Sequence, residues 1–271
     1  MSEKQNLVHL RVWGDFACFT RPEMKVERVS YPLITPSAAR GICEAIFWEP
    51  QMFYLIDSVR VVKRGQWVSI KRNEVQSVIS IRNLQQWMNT PEKTSTLQAG
   101  GGSPDGTQRN TLVLNDVEYI ISVEVRTSMI DKSPDNSLSK YLREIQSRAS
   151  TGKCFHRPSL GMREFAANFE LLDTPNAIPL VSWTENLGLM LYDVFDHKQR
   201  AQGFRWLRPD ELPDKPATGK SKKALKQNWK GAKIKPQAAF FQADIKNGVM
   251  DCHPERVELI MISQEGDGHV A

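Results

Sequence analysis

Cys154 with His156, in "KCFHRP", and Cys252 with His253, in "DCHPE", together give a Cys₂His₂ count. The separation within each pair is tighter than zinc sites use, so zinc is the lesser reading and no metal or other cofactor is expected. "GGGSPDG", from Gly100, is Gly-rich but lacks the Lys-Ser/Thr ending of a phosphate-cradling loop, and no G-x-S-x-G occurs. The clearest chemical bias is charge. From Arg205 to Lys235 there are ten basic residues against three acidic, net +7, whereas the whole chain carries +5. Such a segment, which includes Lys222 and Lys223, suits a polyanion such as nucleic acid; the ordinary alternative is a solvated lysine-rich loop.

The chain around these residues has 271 positions, enough for one large domain or two modest ones. With 40% hydrophobic and 25% charged residues, a soluble globular protein is the default. No apolar run approaches the roughly 18 residues of a membrane span, and "MSEKQNLVHL" does not read as a signal peptide. Four scattered cysteines then read as free thiols in a reducing cytoplasm.

Several elements must position the chemistry. "LVHLRVWGDFACF" alternates apolar and polar residues and predicts a strand ending at Gly14. In "TPSAARGICEAIFW", Thr35 caps a helix, Pro36 opens it, and Ala38, Ile42, Ala45 and Ile46 form its apolar face. Phe47 stands where that helix stops. Residues 52–65 predict a strand, and "QWVSIKRNEVQSVIS" its hairpin partner. Residues 89–110 read as a mobile polar loop, and 111–127 as the next strand. "SPDNSLSKYLREIQSRAS" predicts a helix with Leu138, Tyr141, Leu142 and Ile145 on one face, and "LGMREFAANFELLD" a strand.

That order is a split βαβ repeated: an α+β, ferredoxin-like (RRM-like) domain over residues 1–175, with an insertion at about 66–110. The open face of such a sheet often binds RNA. From 176 to 271 the texture predicts a small β-rich second domain: strands at "LGLMLYDVFD", "AQGFRWLRP" and "PQAAFFQADIK", a turn at Asn247-Gly248, and the basic loop at 205–235.

Three long stretches carry a resemblance: "RVWGDFACFTRPEMKVERVSYPLITPSAARGICEAIFWEP", "IDSVRVVKR" and "SKYLREIQSRASTGKCFHRPSLGMREF". The chain resembles the CRISPR-associated Cas-five family of subtype I-C, the Dvulg or d type. The resemblance implies a RAMP-type endoribonuclease that cuts precursor CRISPR RNA without metal and keeps the 5′ handle bound. It further implies membership of the Cascade antiviral complex, with Cas-seven and Cas-eight type subunits and, through the complex, target DNA.

The family carries an aromatic or imidazole residue, often tyrosine, at the end of the first helix, and a Lys-His pair at the start of the second. By that match the first position is Phe47, the lysine is Lys140, and the histidine is replaced by Tyr141. Phe47 has no ionisable group, and a phenol with its ordinary pKa near 10 is a poor base at neutral pH unless neighbouring cations lower it. His156 and Tyr31 are candidates to compensate; the ordinary alternatives are a loop histidine and core packing. Arg21 and Lys25, before the first helix, are candidate RNA contacts, as are Arg40, Arg143 and Arg163. Arg40 and Arg143 could equally be solvated helix positions, and Arg163 a structural ion pair at the start of a strand. Trp13, Phe16 and Phe19 could stack on bases or fill the core. Three functions compete: an endoribonuclease centred on Lys140, a handle-binding scaffold without chemistry, and a general nucleic-acid binder acting through the basic loop.

Overall fold

Thr35 begins the first helix as its sequence requires. Its backbone is extended and its side chain accepts the Ala38 N–H at 3.2 Å, so α1 runs Pro36–Ile46 in the computed structural model. That structure describes residues 6–75, 80–93, 106–195, 197–201 and 237–261. The basic segment with Lys222 and Lys223, and nearly all of "AQGFRWLRP", lie outside the described residues. Ala39, Ile42, Cys43, Ala45 and Ile46 of α1 are buried, and Phe47 leaves the helix in an extended conformation.

The sheet is organised by β5 (Gly106–Thr127), which starts five residues earlier than expected. Every residue from Val117 to Val125 is buried. Strand β1 (Leu7–Ala17) lies antiparallel along one side of it and continues past Gly14, because β5 goes on pairing as far as Ala17↔Leu114. The two-residue β2 (Arg28–Val29) adds a short parallel pairing with Thr111 and Leu112. Strand β3 (Met52–Lys63) lies on the other side.

The hairpin expected between β3 and the next strand does not form. Instead β4 (Gln66–Val75) continues along β5, with Lys63 opposite Glu118 and Gln66 opposite Asn115. The 22 residues of β5 give length for both strands in succession. The bend falls at Gly65, whose φ is +77°, and a Cβ there would meet the Asn115 carbonyl oxygen at 2.9 Å. Beyond β4, where the sequence suggests strand and then loop, Ser80 caps a helix, α2 (Ile81–Asn89), by accepting the Asn83 N–H.

Helix α3 (Pro134–Thr151) forms as predicted and ends at left-handed Gly152. The strand expected from Leu160 is shorter: only Asn168–Leu172 (β6) pairs, on β1. Residues 160–165 instead turn back on themselves, the Leu160 N–H donating to the Phe165 carbonyl at 2.7 Å, so Arg163 sits in a turn rather than a strand. The strand order β3-β5-β1-β6, with α1 and α3 as crossovers, is the ferredoxin-like arrangement.

After residue 176 come β7 (Glu185–Asp193), the short α4 (His197–Ala201), β8 (Ala239–Lys246), β9 (Val249–Asp251) and β10 (Ile260–Met261). Asn247 and Gly248 both take positive φ in the tight turn predicted between β8 and β9. These strands extend the same sheet, because β9 pairs with the outer edge of β3, and one core cluster includes residues of both parts. Among the described residues no helix is long and apolar enough to cross a membrane.

Gly161 fastens the 160–165 turn to the end of β1. Its φ is +87°, and a Cβ there would stand 2.0 Å from the Cys18 carbonyl oxygen. Gly161→Ala should therefore destabilise the fold by more than about 1 kcal/mol, seen as a lower urea midpoint. An unchanged midpoint would show that this turn can move away from β1 at no cost.

Candidate functional site

The end of α1 and the first turns of α3 meet around Phe47. Its ring is buried, 6.3 Å from the Tyr141 ring, with the Arg148 guanidinium 5.3 Å above it. Its backbone is fixed at both ends: the N–H donates to the Cys43 carbonyl, and the carbonyl accepts the Tyr54 hydroxyl at 2.7 Å. Lys140 is half-exposed on the first part of α3. Its Nζ lies 5.6 Å from the Tyr141 ring and donates to Glu49 at 3.1 Å. The positions picked out by the family resemblance are therefore brought together.

Their protonation differs from what base catalysis needs. Burial strips solvent from the Tyr141 phenolate and raises its pKa, although a hydrogen bond with Ser137 pulls the other way. Neighbouring cations do not reverse the direction. The hydrogen bond and charge of Glu49 raise Lys140 above its ordinary value. At neutral pH the cluster thus holds a neutral phenol and an ammonium. It can stabilise negative charge on phosphate, but Phe47 and Tyr141 supply no base.

The loop carrying the His156 imidazole is tied to the last turn of α1. The N–H groups of Phe155 and His156 both donate to the Ala45 carbonyl, at 2.9 and 3.2 Å, which pins their loop to the last turn of α1. His156 is exposed on the shared rim of two open clefts. The first, about 760 Å³, is lined by the start of α1, the end of β1 and the 156–163 loop, and presents His156, Arg157 and Arg163 with no acidic side chain. The second, about 670 Å³, is lined by Trp48, Phe155, His156 and Phe195 above the charged side chains of Arg40, Glu44, Asp193 and Arg200. Trp48 links this cleft to the Lys140 cluster, because its chain neighbours are Phe47 and Glu49.

Other predicted residues have different surroundings. Arg40 is not solvated. It donates to Asp193 at 2.7 Å and pairs with Glu44 at 2.5 Å, while Arg200 holds the same Asp193 at 3.0 Å. Burial favours a neutral Asp193, but the Arg40 and Arg200 guanidiniums outweigh it and lower its pKa. Tyr31 is buried, with its hydroxyl accepting the Leu191 N–H and the Arg21 guanidinium over its ring, so it packs the core rather than facing a ligand. Lys25, Arg143 and Arg163 are exposed. Phe19 is buried, Trp13 lies half-buried under Arg11, and Phe16 packs against Phe165.

Cys252 and His253 are buried, with His253 hydrogen-bonded to Glu124 at 2.9 Å. Among the described residues no group of three or more His, Cys, Asp or Glu is placed to hold a metal ion. Sequence reasoning missed Glu49, Arg157, Asp193, Trp48 and Phe155. Arg157, adjacent to His156, and Glu44, four residues after Arg40, had local signals. Asp193, 153 residues from Arg40, had none.

Residues 7–253 match the family described as CRISPR-associated protein (Cas_Cas5), d type. A protein of Mannheimia succiniciproducens named CRISPR pre-crRNA endoribonuclease Cas5d is 41% identical over 207 residues, 74% of this chain and 90% of that one. A Thermus thermophilus protein of the same name is 37% identical over 185 residues, 68% of this chain and 72% of its own. Two solved structures share the fold at a TM-score of 0.56. One is a CRISPR-associated protein at 17% identity, with 95% of this chain and 96% of that chain covered. The other is a functionally uncharacterized protein, SMU1763c of Streptococcus mutans, at 18%, with 95% and 97% covered.

Asp193 clamps α1 to the end of β7, so its loss is testable as a change in stability. Asp193→Asn should cost about 3–5 kcal/mol at pH 7, by leaving two buried guanidiniums short of a carboxylate. The native pKa lies below the unfolded one, so this stabilisation is complete above the unfolded value near 4 and fades as pH falls through the native value. Urea midpoints of the wild type should therefore fall more steeply below pH 4 than those of the variant. Parallel pH profiles would contradict this assignment.

Proposed function

We propose, from the premise that the chain belongs to the CRISPR-associated Cas5 family, that it binds the repeat-derived part of a precursor CRISPR RNA and cuts it. The relatives named pre-crRNA endoribonucleases support that reaction class. The observation that carries it here is Lys140, a half-exposed ammonium held where the end of α1 meets α3. In the proposed reaction a ribose 2′-oxygen attacks the adjoining phosphorus, the P–O5′ bond breaks, and the 5′-oxygen takes up a proton. The products are a 2′,3′-cyclic phosphate and a 5′-hydroxyl. Lys140 exchanges Glu49 for the phosphate and stabilises the charge of the phosphorane. His156 is the candidate to move a proton, since neither Phe47 nor Tyr141 can do so at neutral pH. No step in this scheme passes through a metal. Arg21, Lys25, Arg143, Arg157 and Arg163 are proposed to hold phosphates, and the cut RNA stays on the protein as the 5′ handle. The chain then serves as a subtype I-C Cascade subunit beside Cas-seven and Cas-eight type proteins.

A second reading has its own support: the same protein holds the handle but does not cut. Phe47 lacks an ionisable group, Tyr141 is buried and neutral, and Lys140 is engaged by Glu49. The two separate in one assay, with purified full-length chain and cognate repeat RNA in EDTA. Cleavage is expected, with Lys140→Ala lowering the rate by about 10²- to 10³-fold. Tyr141→Phe should stay close to wild type. Phe47→Tyr should raise the rate, because it places a hydroxyl at the family's usual position. Tight binding with no cut, with or without added metal, would establish the second reading.

A further inference from the structure

We infer that the second cleft is a pocket for one unstacked nucleobase of the bound RNA, and that the first cleft carries the phosphates next to it. This rests on the RNA-binding reading above and assigns each cleft a part of the nucleotide. The division follows from charge. The first cleft presents Arg157, Arg163 and His156 and no acid, which suits a phosphate track. In the second, the two guanidiniums of Arg40 and Arg200 are matched by the carboxylates of Glu44 and Asp193. That floor is charge-balanced and its guanidiniums are paired, so it does not attract an anion, while the carboxylates keep lone pairs that can accept from a base edge. Its walls are aromatic.

Phe155 is 83% exposed, an unusual setting for a phenylalanine whose backbone is anchored to α1, and Trp48 is 39% exposed. The Phe155 and His156 rings meet edge to face at 5.8 Å, so the two aromatics brace one another. Anchored, solvent-facing rings over a polar floor are what a splayed RNA base requires, because its faces stack and its edges hydrogen-bond. The volume, about 670 Å³, lies within the range of small-molecule sites. His156 lies on the rim of both clefts, and Trp48 is one residue from Phe47 and Glu49. A base seated there would hold its own backbone close to the Lys140 cluster and fix the register of cutting.

The test uses the full chain and cognate repeat RNA carrying one abasic nucleotide, moved stepwise along the strand, with binding measured at fixed salt. Phe155→Ala should weaken binding of intact RNA by about 5- to 150-fold, the range for loss of one stacking partner. One abasic position should weaken wild-type binding by a similar factor and have no further effect on Phe155→Ala or Trp48→Ala. Phe155 is largely exposed, so its replacement does not threaten the core. If wild type binds and Phe155→Ala binds equally well, the pocket assignment is wrong. The same holds if every abasic position costs both proteins alike. Unchanged RNA affinity with loss of assembly into Cascade would assign the cleft to a partner protein and overturn the inference. If wild type itself does not bind repeat RNA, the proposed function fails first and the pocket with it.

Discussion

Burial of both faces of β5 between Val117 and Val125 is the constraint on which the rest of the molecule depends. Val117, Tyr119, Ile121, Val123 and Val125 belong to the main core cluster, the set that α1 and α3 join. Their neighbours Glu118, Ser122 and Glu124 point to the other face and are also buried. Charges in such a place must be paired. Arg11 on β1 meets Glu118, His253 after β9 meets Glu124, and His9 meets Ser122. The same pairings tie the first strand and the C-terminal strands to the centre.

Helix α1 then relates the clefts to the Lys140 cluster. Its middle is clamped by Arg40 to Asp193 on β7, and its last turn takes two N–H groups from the 155–156 loop on the Ala45 carbonyl. Its final residue gives way to Phe47, whose extended backbone is held by Cys43 and Tyr54. Phe47 serves as a packing surface for Tyr141 and Arg148 rather than as a chemical group. In the proposed reaction the work of a polar residue there falls to Lys140 and His156, both of which are exposed.

Much of this was legible in the sequence. The Thr35-Pro36 start of α1, the apolar face of α3 and the Asn247-Gly248 turn are local signals, and each formed as read. The misread elements are those that distant residues decide. Strand β4 looked like the partner of β3 because only Arg64 and Gly65 lie between them, yet the length of β5 let it run on. "LGMREF" looked like strand, but contact with Cys18 folds it into a turn. For the site, the family resemblance placed Lys140, Tyr141 and Phe47 together, as the structure does. Arg40 was misjudged because Asp193 is 153 positions away, and Glu49 was missed because its partner lies 91 positions on.

The central claim is that this chain cuts RNA through a ribose hydroxyl, with the family's lysine kept as Lys140 and the imidazole of His156 moving the proton that Phe47 and Tyr141 cannot. A cognate repeat RNA with a single 2′-deoxy nucleotide on the 5′ side of the cut removes only the attacking oxygen. Measured against the all-ribose RNA in EDTA, it should bind with the same affinity and remain intact while the parent is converted to a 2′,3′-cyclic phosphate product. Cutting of the 2′-deoxy strand at the parental rate would contradict the account.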